Sequence, residues 1–362
     1  MNLEEYNFYL EKLKNIDYST QDHWDIFSSK YYDKISDFDC MKSFRTNGIS
    51  NMLETALPSQ DREPLIENNG SYDIDYSAYE IEEIKKRFSE LKIMMGDDIS
   101  KIEFNSAVGN PRRLKQEYDG KECLLNFDDL YHAYAAWQLE RFICNLFDTS
   151  QVKNILEIGA GYGNLAHKIK IIFKKSKYII IDLPEVLLIQ HYYLSKNNPS
   201  YKIVNLLDTN NVNTNVDKID CDILLVPFHL YKNYQFNFDV VINNRSFGEM
   251  PKETLTDYID WIQKNISLNG ILYTVNRYVF TKSLDKNKIR DYPFDNFWNV
   301  IISQPQWLQT HLHEFILQRT SHEPNISLEF LLKSFPISTP PPGPIMQKIQ
   351  TQAEWLRHQN IK

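Results

Sequence analysis

The sequence predicts an α/β protein: a mainly parallel sheet that ends in an antiparallel hairpin, entered through a mostly helical N-terminal region. Three observations carry this. From Lys153 onward, short apolar runs closed by Gly, Asp or Asn alternate with helical stretches, the pattern of successive βα units. Two later runs lie too close together for a helical crossover, so they should pair antiparallel. Before about Asp128, helical periodicity is present without a strong strand pattern.

Taken in order, Ile81, Ile84, Phe88 and Leu91 form one helix face, among loop signals such as Leu57-Pro58-Ser59-Gln60-Asp61 and Glu67-Asn68-Asn69-Gly70-Ser71. A further helix is expected from about Asp128 to Leu146, with Leu130, Tyr134, Trp137, Arg141 and Cys144 on or beside one stripe and Asp128 or Asp129 as its cap. Strands are expected at Asn154–Ile158, Tyr178–Ile181, Asp222–Val226, Asp239–Asn243 and Gly270–Val275, with a short extra strand at Lys202–Leu206. The intervening helices are Asn164–Phe173, Pro184–Lys196 and Lys252–Ile266, the last carrying Leu255, Tyr258, Ile259 and Ile262 on one side. Trp298–Ser303 and Glu314–Arg319 make the closing hairpin. Pro336–Pro344 predicts a stiff polyproline linker, and Ile345–Lys362 a short docking helix. The chain thus divides into a helical accessory or acceptor-binding region (1–128), an α/β domain (129–335) and a linker with its helix (336–362).

Composition narrows the partners. At 362 residues, 42% hydrophobic and 24% charged, the chain has an ordinary globular make-up and enough length for a sizeable core. A net charge of −8 supplies no global positive field, so nucleic acid is a poor partner. Cys40, Cys123, Cys144 and Cys221 share no metal-ligand spacing and read as reduced thiols. An acidic N-terminus and the absence of a transmembrane-length apolar run make a cytoplasmic protein without membrane insertion the expectation. Homo-oligomerisation stays open. The 22 Tyr and 20 Phe fill a core or line a site for a ring-shaped ligand.

The most informative stretch is Glu157-Ile158-Gly159-Ala160-Gly161-Tyr162-Gly163-Asn164. Three glycines after a strand and before a helix let backbone turn sharply and approach a ligand. A dinucleotide fingerprint needs Gly at its sixth position, where this chain has Asn164. The pattern E-x-G-x-G-x-G, with its acid two residues ahead, is instead the first motif of S-adenosylmethionine binding. Asp182 closes the second strand, where a carboxylate accepts ribose hydroxyl protons, although it is also placed to cap the helix opening at Pro184.

These residues, with Asp182-Leu183-Pro184-Glu185-Val186 and Phe238-Asp239-Val240-Val241-Ile242-Asn243-Asn244-Arg245-Ser246-Phe247-Gly248-Glu249-Met250, resemble the sugar O-methyltransferases of bacterial glycan loci, a family of class I S-adenosylmethionine-dependent methyltransferases. Asn269–Arg277, Tyr292–Asp295 and Glu314–Arg319 extend the likeness, with Val108-Gly109-Asn110-Pro111 matching weakly upstream. The resemblance implies a Rossmann-like sheet, S-adenosylmethionine as methyl donor and a sugar acceptor, as a nucleotide sugar or glycan component. It places the donor along Glu157, Gly159, Ala160, Gly161, Tyr162, Asp182, Leu183 and Asn243. A nitrogen or a non-sugar hydroxyl is the alternative acceptor, and a non-catalytic binding module is a more distant one.

Transfer to a sugar hydroxyl benefits from a base. Glu249, after the fourth strand, is the first candidate, and capping of the following helix is its structural alternative. His229, after the third strand, is the second candidate, and the family pattern puts it near the adenine ring. Asn244, Arg245, Asn276, Arg277 and Tyr278 are expected acceptor contacts, Arg245 suiting an acceptor phosphate. His311 and His313 alternate on a strand start and are the only hint of a divalent metal, which no third ligand supports. His132 is expected to pack within its helix.

Overall fold

A computed structural model of the chain describes residues 1–14, 16, 35–45, 78–104, 106–111, 113–146, 151–208, 215–279, 287–325 and 327–335. The expected loops at 57–61 and 67–71, the polyproline linker and the C-terminal helix lie outside these residues.

The N-terminal region contributes α1 (Leu3–Lys14), α2 (Phe38–Lys42), α3 (Ala78–Met95), the hairpin β1 (Leu114–Tyr118) and β2 (Lys121–Leu125), and α4 (Phe127–Leu146). The hairpin corrects the expectation of helix without strand. Its sequence is polar on both faces, so alternation is faint, and only Leu114 and Leu125 are fully buried at its ends. Its signal is instead the turn: Asp119 and Gly120 have φ of 51° and 67°, the left-handed pair that a two-residue hairpin favours. A second correction concerns the cap of α4. Asn126, not Asp128 or Asp129, accepts the Asp129 N–H (2.8 Å) and donates back to its carboxylate (2.6 Å).

The α/β part follows as β3 (Asn154–Ile158), α5 (Asn164–Ile172), β4 (Lys177–Asp182), α6 (Pro184–Asn197), β5 (Ile203–Asn205), β6 (Ile223–Pro227), β7 (Phe238–Asn244), α7 (Lys252–Asn265), β8 (Ile266–Arg277), β9 (Trp298–Pro305), β10 (Leu312–Arg319) and α8 (Leu328–Ser334). Eight strands form one sheet in the order β5-β6-β4-β3-β7-β8-β10-β9. The first six are mutually parallel, and β10 runs antiparallel between β8 and β9. Parallel strands closed by an antiparallel hairpin are the sheet that the sequence predicted, with β5 as an added edge.

Alternation along the strands divides the core. Ile155, Tyr178, Ile180, Ile242 and Tyr273 face α4, α5, α6 and the N-terminal elements, while Leu156, Ile179, Leu224, Val241 and Leu272 face α7 and α8. Each such fully buried aliphatic chain contributes about 1.5–3 kcal/mol. Tyr6, Phe44 and Phe88 belong to the first of these clusters, so the N-terminal elements complete one face of the sheet. Strand order reverses at β3, flanked by β4 and β7, and the crevice where such sheets bind ligands opens at their carboxyl ends. Among the described residues no helix is long and apolar enough to cross a membrane.

Candidate functional site

The loop leaving β3 is built from left-handed glycines. Gly159, Gly161 and Gly163 have φ of 72°, 57° and 97°, a region that costs a side chain energy. At Gly159 a Cβ would lie 2.3 Å from Ser246 Oγ. Ser246 in turn donates to the Ile158 carbonyl (2.9 Å) and accepts from Asn243 Nδ2 (2.6 Å), clamping the turn after β7 against the loop.

Asp182, at the carboxyl end of β4, faces this loop. Its Oδ2 accepts the Ala160 N–H (3.0 Å) and Gln190 Nε2 (2.7 Å), and its Oδ1 accepts the Leu183 N–H (2.8 Å). One lone pair on Oδ1 therefore stays open, while Oδ2 is fully engaged. Burial pushes the carboxyl up to about 7 against these three donors. The helix-capping alternative is not realised, since Leu183 is the N-cap of α6 with no side-chain bond. Gln190 is fully buried, and its Oε1 has no hydrogen-bond partner, so unused acceptor capacity lies beside Asp182.

Other expected donor residues point inward. Glu157 is 1% exposed and accepts from the Tyr178 hydroxyl (2.8 Å); burial, against that bond, raises its carboxyl to about 8. The Tyr162 hydroxyl donates to Asp128, and its ring carries the Arg45 guanidinium at 4.7 Å. Asn243 is fully buried and spent: it donates to Ile158 O and Ser246 Oγ and accepts from Phe247 N and Asn276 Nδ2. Asn276 is likewise interior, donating to Asn243 Oδ1 and Thr274 Oγ1. These two asparagines tie β3, β7 and β8 together. Ala160 and Leu183 line the loop and strand end through their backbone, as the Asp182 bonds show.

Asn164, the residue that breaks the dinucleotide spacing, is the hub of a buried network. Its Nδ2 reaches Asp129 Oδ1 (3.0 Å), Asp128 Oδ2 (3.2 Å) and His132 Nδ1 (3.1 Å), and its Oδ1 accepts from Tyr193 (3.1 Å). Burial raises the Asp128 carboxyl, but His132, Arg45 and the Tyr162 hydroxyl outweigh it and hold it well below the ordinary range. Lys168 pairs with Asp129 at 3.2 Å, both buried. A glycine here would leave these groups without their bridge. His132 thus joins this network on α4.

The acceptor-side candidates separate. Asn244, Arg245 and Arg277 stand together at the ends of β7 and β8. Arg245 is held by its N–H to Val275 O (2.7 Å), with φ of 76°, a conformation costing a non-glycine residue roughly 1–2 kcal/mol. Its guanidinium lies 5.7 Å from the ring centroid of Tyr131, whose hydroxyl donates to Asn244 Oδ1 (2.8 Å). Tyr131 is a site residue that its burial in an apolar helix pattern had hidden. Exposed Glu249 sits on a short turn after β7, within the field of Arg277. Tyr278 goes elsewhere: it packs against Phe335 and bonds His313 Nδ1 (2.8 Å) in the α8-side core. His229 follows β6, three strand spacings or roughly 14 Å from β7.

The two strand-start histidines do not make a ligand pair. His313 uses both ring nitrogens, on Tyr278 and on Ser303 (3.0 Å). His311 precedes β10 beside two arginines: burial, then Arg277 and Arg245, push it down to about 4. Among the described residues no group of three or more His, Cys, Asp or Glu is placed to hold a metal. The remaining resemblance blocks are structural. Arg319 forks onto Asp295 (2.5 and 2.9 Å), and buried Glu314 accepts from Tyr134 (3.0 Å), Tyr273 (2.8 Å) and Gln304 (2.8 Å).

Residues 88–219 match the family model of the O-methyltransferase domain, a little over a third of the chain. The match runs from α3 through the glycine loop and Asp182 and stops before β6, so it leaves out Asn244, Arg245, Arg277 and His311. No curated protein matches the sequence. Similar solved structures include the mitomycin 7-O-methyltransferase MmcR (10% identity, 53% of this chain and 57% of that one, TM-score 0.35). TehB from Haemophilus influenzae is 13% identical over 52% of this chain and 62% of that one, TM-score 0.36. Human N-acetylserotonin methyltransferase, solved in complex with SAM, is 13% identical over 54% and 55%, TM-score 0.32. The chain thus spans little more than half the length of such structures.

Proposed function

We propose that this chain is an S-adenosylmethionine-dependent O-methyltransferase acting on a hydroxyl of a small acceptor, and that the acceptor is a sugar. The observation that carries the donor assignment is the left-handed glycine loop beside Asp182 at the strand-order reversal, within the segment that matches an O-methyltransferase domain. The sugar assignment is supported by the likeness of the Phe238–Met250 block. The generality of the family match supports a non-sugar hydroxyl as the second reading.

When bound, S-adenosylmethionine supplies an electrophilic methyl group on a sulfonium. The chain's residues fit that donor: the glycines let backbone approach it, and Asp182 Oδ1 and Gln190 Oε1 keep acceptor capacity for ribose hydroxyls. His229, on the β6 side, belongs to the donor's end rather than to the acceptor's. At the other end, the Asn244 amide is placed to orient the acceptor, with its carbonyl fixed by Tyr131. Glu249 takes the hydroxyl proton as the new carbon-oxygen bond forms, a contribution of roughly two to four orders of magnitude. The N-terminal elements, packed over the α4 face, supply the rest of the acceptor pocket.

Calorimetric titration of S-adenosylhomocysteine tests the donor reading, beside Asp182→Ala, the near-isosteric Asp182→Asn and an NAD control. The expected result is binding to the wild type, loss in both variants with folding retained, and no NAD binding. Binding of NAD alone would overturn the proposal.

A further inference from the structure

Tyr162 stands inside the glycine loop, between Gly161 and Gly163. Their φ values of 57° and 97° suit glycine alone, so the backbone on either side of Tyr162 has little rigidity of its own. The tyrosine side chain is turned inward, 1% exposed, and is gripped from several directions. Its hydroxyl donates to Asp128 at the start of α4, and Asp128 Oδ2 accepts in turn from Asn164, the first residue of α5, at 3.2 Å. The ring meets Tyr193 of α6 edge-on, 4.8 Å between centroids, lies 5.5 Å from the Phe44 ring and carries the Arg45 guanidinium at 4.7 Å. Phe44 and Arg45 are themselves pinned. The Arg45 N–H is bonded to Gly109 O (2.9 Å), and a Cβ on Gly109 would lie 2.4 Å from the Phe44 ring, so a side chain there would push the ring aside. A chain of contacts therefore runs from Gly109 through Phe44 and Arg45 to the loop that leaves β3. Phe44 and Arg45 lie upstream of the segment that matches an O-methyltransferase domain.

Resting on the methyltransferase reading, we infer that Tyr162 is a positioning residue for the methyl donor, anchored by Asp128, Phe44 and Arg45, so that the N-terminal region sets donor affinity as well as covering the sheet. A loop free to wander must be ordered when its ligand binds, and fixing the backbone of one residue costs enough to weaken binding roughly tenfold. The anchor removes that cost beforehand. It steadies the amides that shape the loop: Gly159 N–H on Ile181 O (3.0 Å), Ala160 N–H on Asp182 Oδ2 (3.0 Å) and Gly163 N–H on Ala160 O (3.0 Å). Ala160 is thereby kept against Asp182, the carboxylate assigned above to the donor's ribose.

The experiment uses the full chain. S-adenosylhomocysteine is titrated by calorimetry into the wild type, Tyr162→Phe, Arg45→Lys and the control Tyr134→Phe, each checked by thermal melting. Hydrogen exchange at the Gly159, Ala160 and Gly163 amides is followed in the ligand-free proteins. The control deletes another buried hydroxyl bonded to a carboxylate, that of Tyr134 on Glu314 (3.0 Å), so it matches the general cost of such a loss without touching the loop. Tyr162→Phe is expected to weaken S-adenosylhomocysteine roughly tenfold and to speed exchange of the three amides by a similar factor. Arg45→Lys keeps the charge but loses the planar stacking on Tyr162, and should show the same changes to a smaller degree. Tyr134→Phe should melt lower and alter neither readout. Unchanged affinity or unchanged loop exchange in Tyr162→Phe overturns the inference. Equal weakening in Tyr134→Phe overturns it too, because general destabilisation would then account for the effect. If S-adenosylhomocysteine does not bind the wild type, the methyltransferase reading fails by itself, and exchange alone decides the anchor: faster loop exchange confined to Tyr162→Phe and Arg45→Lys upholds it, and equal exchange overturns it.

Discussion

Glu157 offers the sharpest physical test of the glycine loop's foundation. It lies one residue before the end of β3, 1% exposed, with the Tyr178 hydroxyl as its hydrogen-bond partner, and burial lifts its carboxyl from 4.5 to about 8. In the unfolded chain this group ionises near 4.5; in the folded protein it keeps its proton until about pH 8. Its contribution to stability is therefore fully present below pH 4.5, is lost progressively as pH rises, and is gone above about pH 8. At about 1.4 kcal/mol per pH unit, that amounts to about 3 to 4 kcal/mol between pH 5 and pH 8. This is a large part of a typical 5–15 kcal/mol total. Glu157→Gln removes the titration but retains a carbonyl for Tyr178. Urea unfolding of both proteins at several pH values should show the variant's relative stability growing by that amount from pH 5 to pH 8, other titrating groups cancelling in the difference. Parallel profiles within 1 kcal/mol would refute the claim that the carboxyl is held neutral under the loop.

On the proposed function, Asp182, pushed by burial to about 7, accepts ribose hydroxyls more strongly when ionised, so S-adenosylhomocysteine affinity should fall below about pH 7 and level off above it; calorimetry across pH 5.5–8.5 checks this, and a pH-independent affinity refutes it. Gly159→Ala brings a Cβ to 2.3 Å from Ser246 Oγ at a positive φ and should cost about 2–4 kcal/mol in urea unfolding, with Ser246→Gly in the same chain restoring only part of it. Asn164→Gly completes the dinucleotide spacing but strips the bridge between Asp128, Asp129 and Tyr193, so the expected outcome is a loss of about 2–4 kcal/mol and no gain of NAD binding by calorimetry. Glu249→Gln should keep S-adenosylhomocysteine affinity and lower turnover on a methylated acceptor by two orders of magnitude or more, read by labelled-donor transfer; unchanged turnover removes it as the base.

Most of the sheet was legible because its signals are local and redundant. Buried parallel strands such as Tyr178–Ile181 and Ile223–Val226 are continuous apolar runs, and each ends at a residue that breaks the run. The closing hairpin followed from loop length alone. What escaped was structure specified by few residues. The β1–β2 hairpin rests on Asp119-Gly120, and the cap of α4 on Asn126, which reads as part of the preceding loop until its bonds to Asp129 are seen. Helix α4 looked amphipathic, yet Phe127–Leu139 is buried on every side, because N-terminal elements far away in the chain cover the face that would otherwise be solvated.

The site divides along the same line. The turn after β3 was legible because it is carried by backbone, and glycine positions report conformation directly. Side chains were not: nothing in Glu157, Tyr162, Asn243 or Asn276 distinguishes a ligand contact from an interior bond, and the structure gives all four interior partners. At the ends of β7 and β8 the decisive fact is where the strand stops. Arg277 is the last residue of β8 and lies in the field of Arg245 and His311, while Tyr278, in the bend that follows, enters the α8-side core. His311 joins them only because β10 inserts antiparallel beside β8 and sets Leu312 opposite Arg277. Reversing the order of the last two strands would remove His311 from the arginines without changing the sequence of β7, β8 or the glycine loop. What surrounds Arg277 is thus set by the topology of the closing hairpin, which lies outside the segment that matches an O-methyltransferase domain.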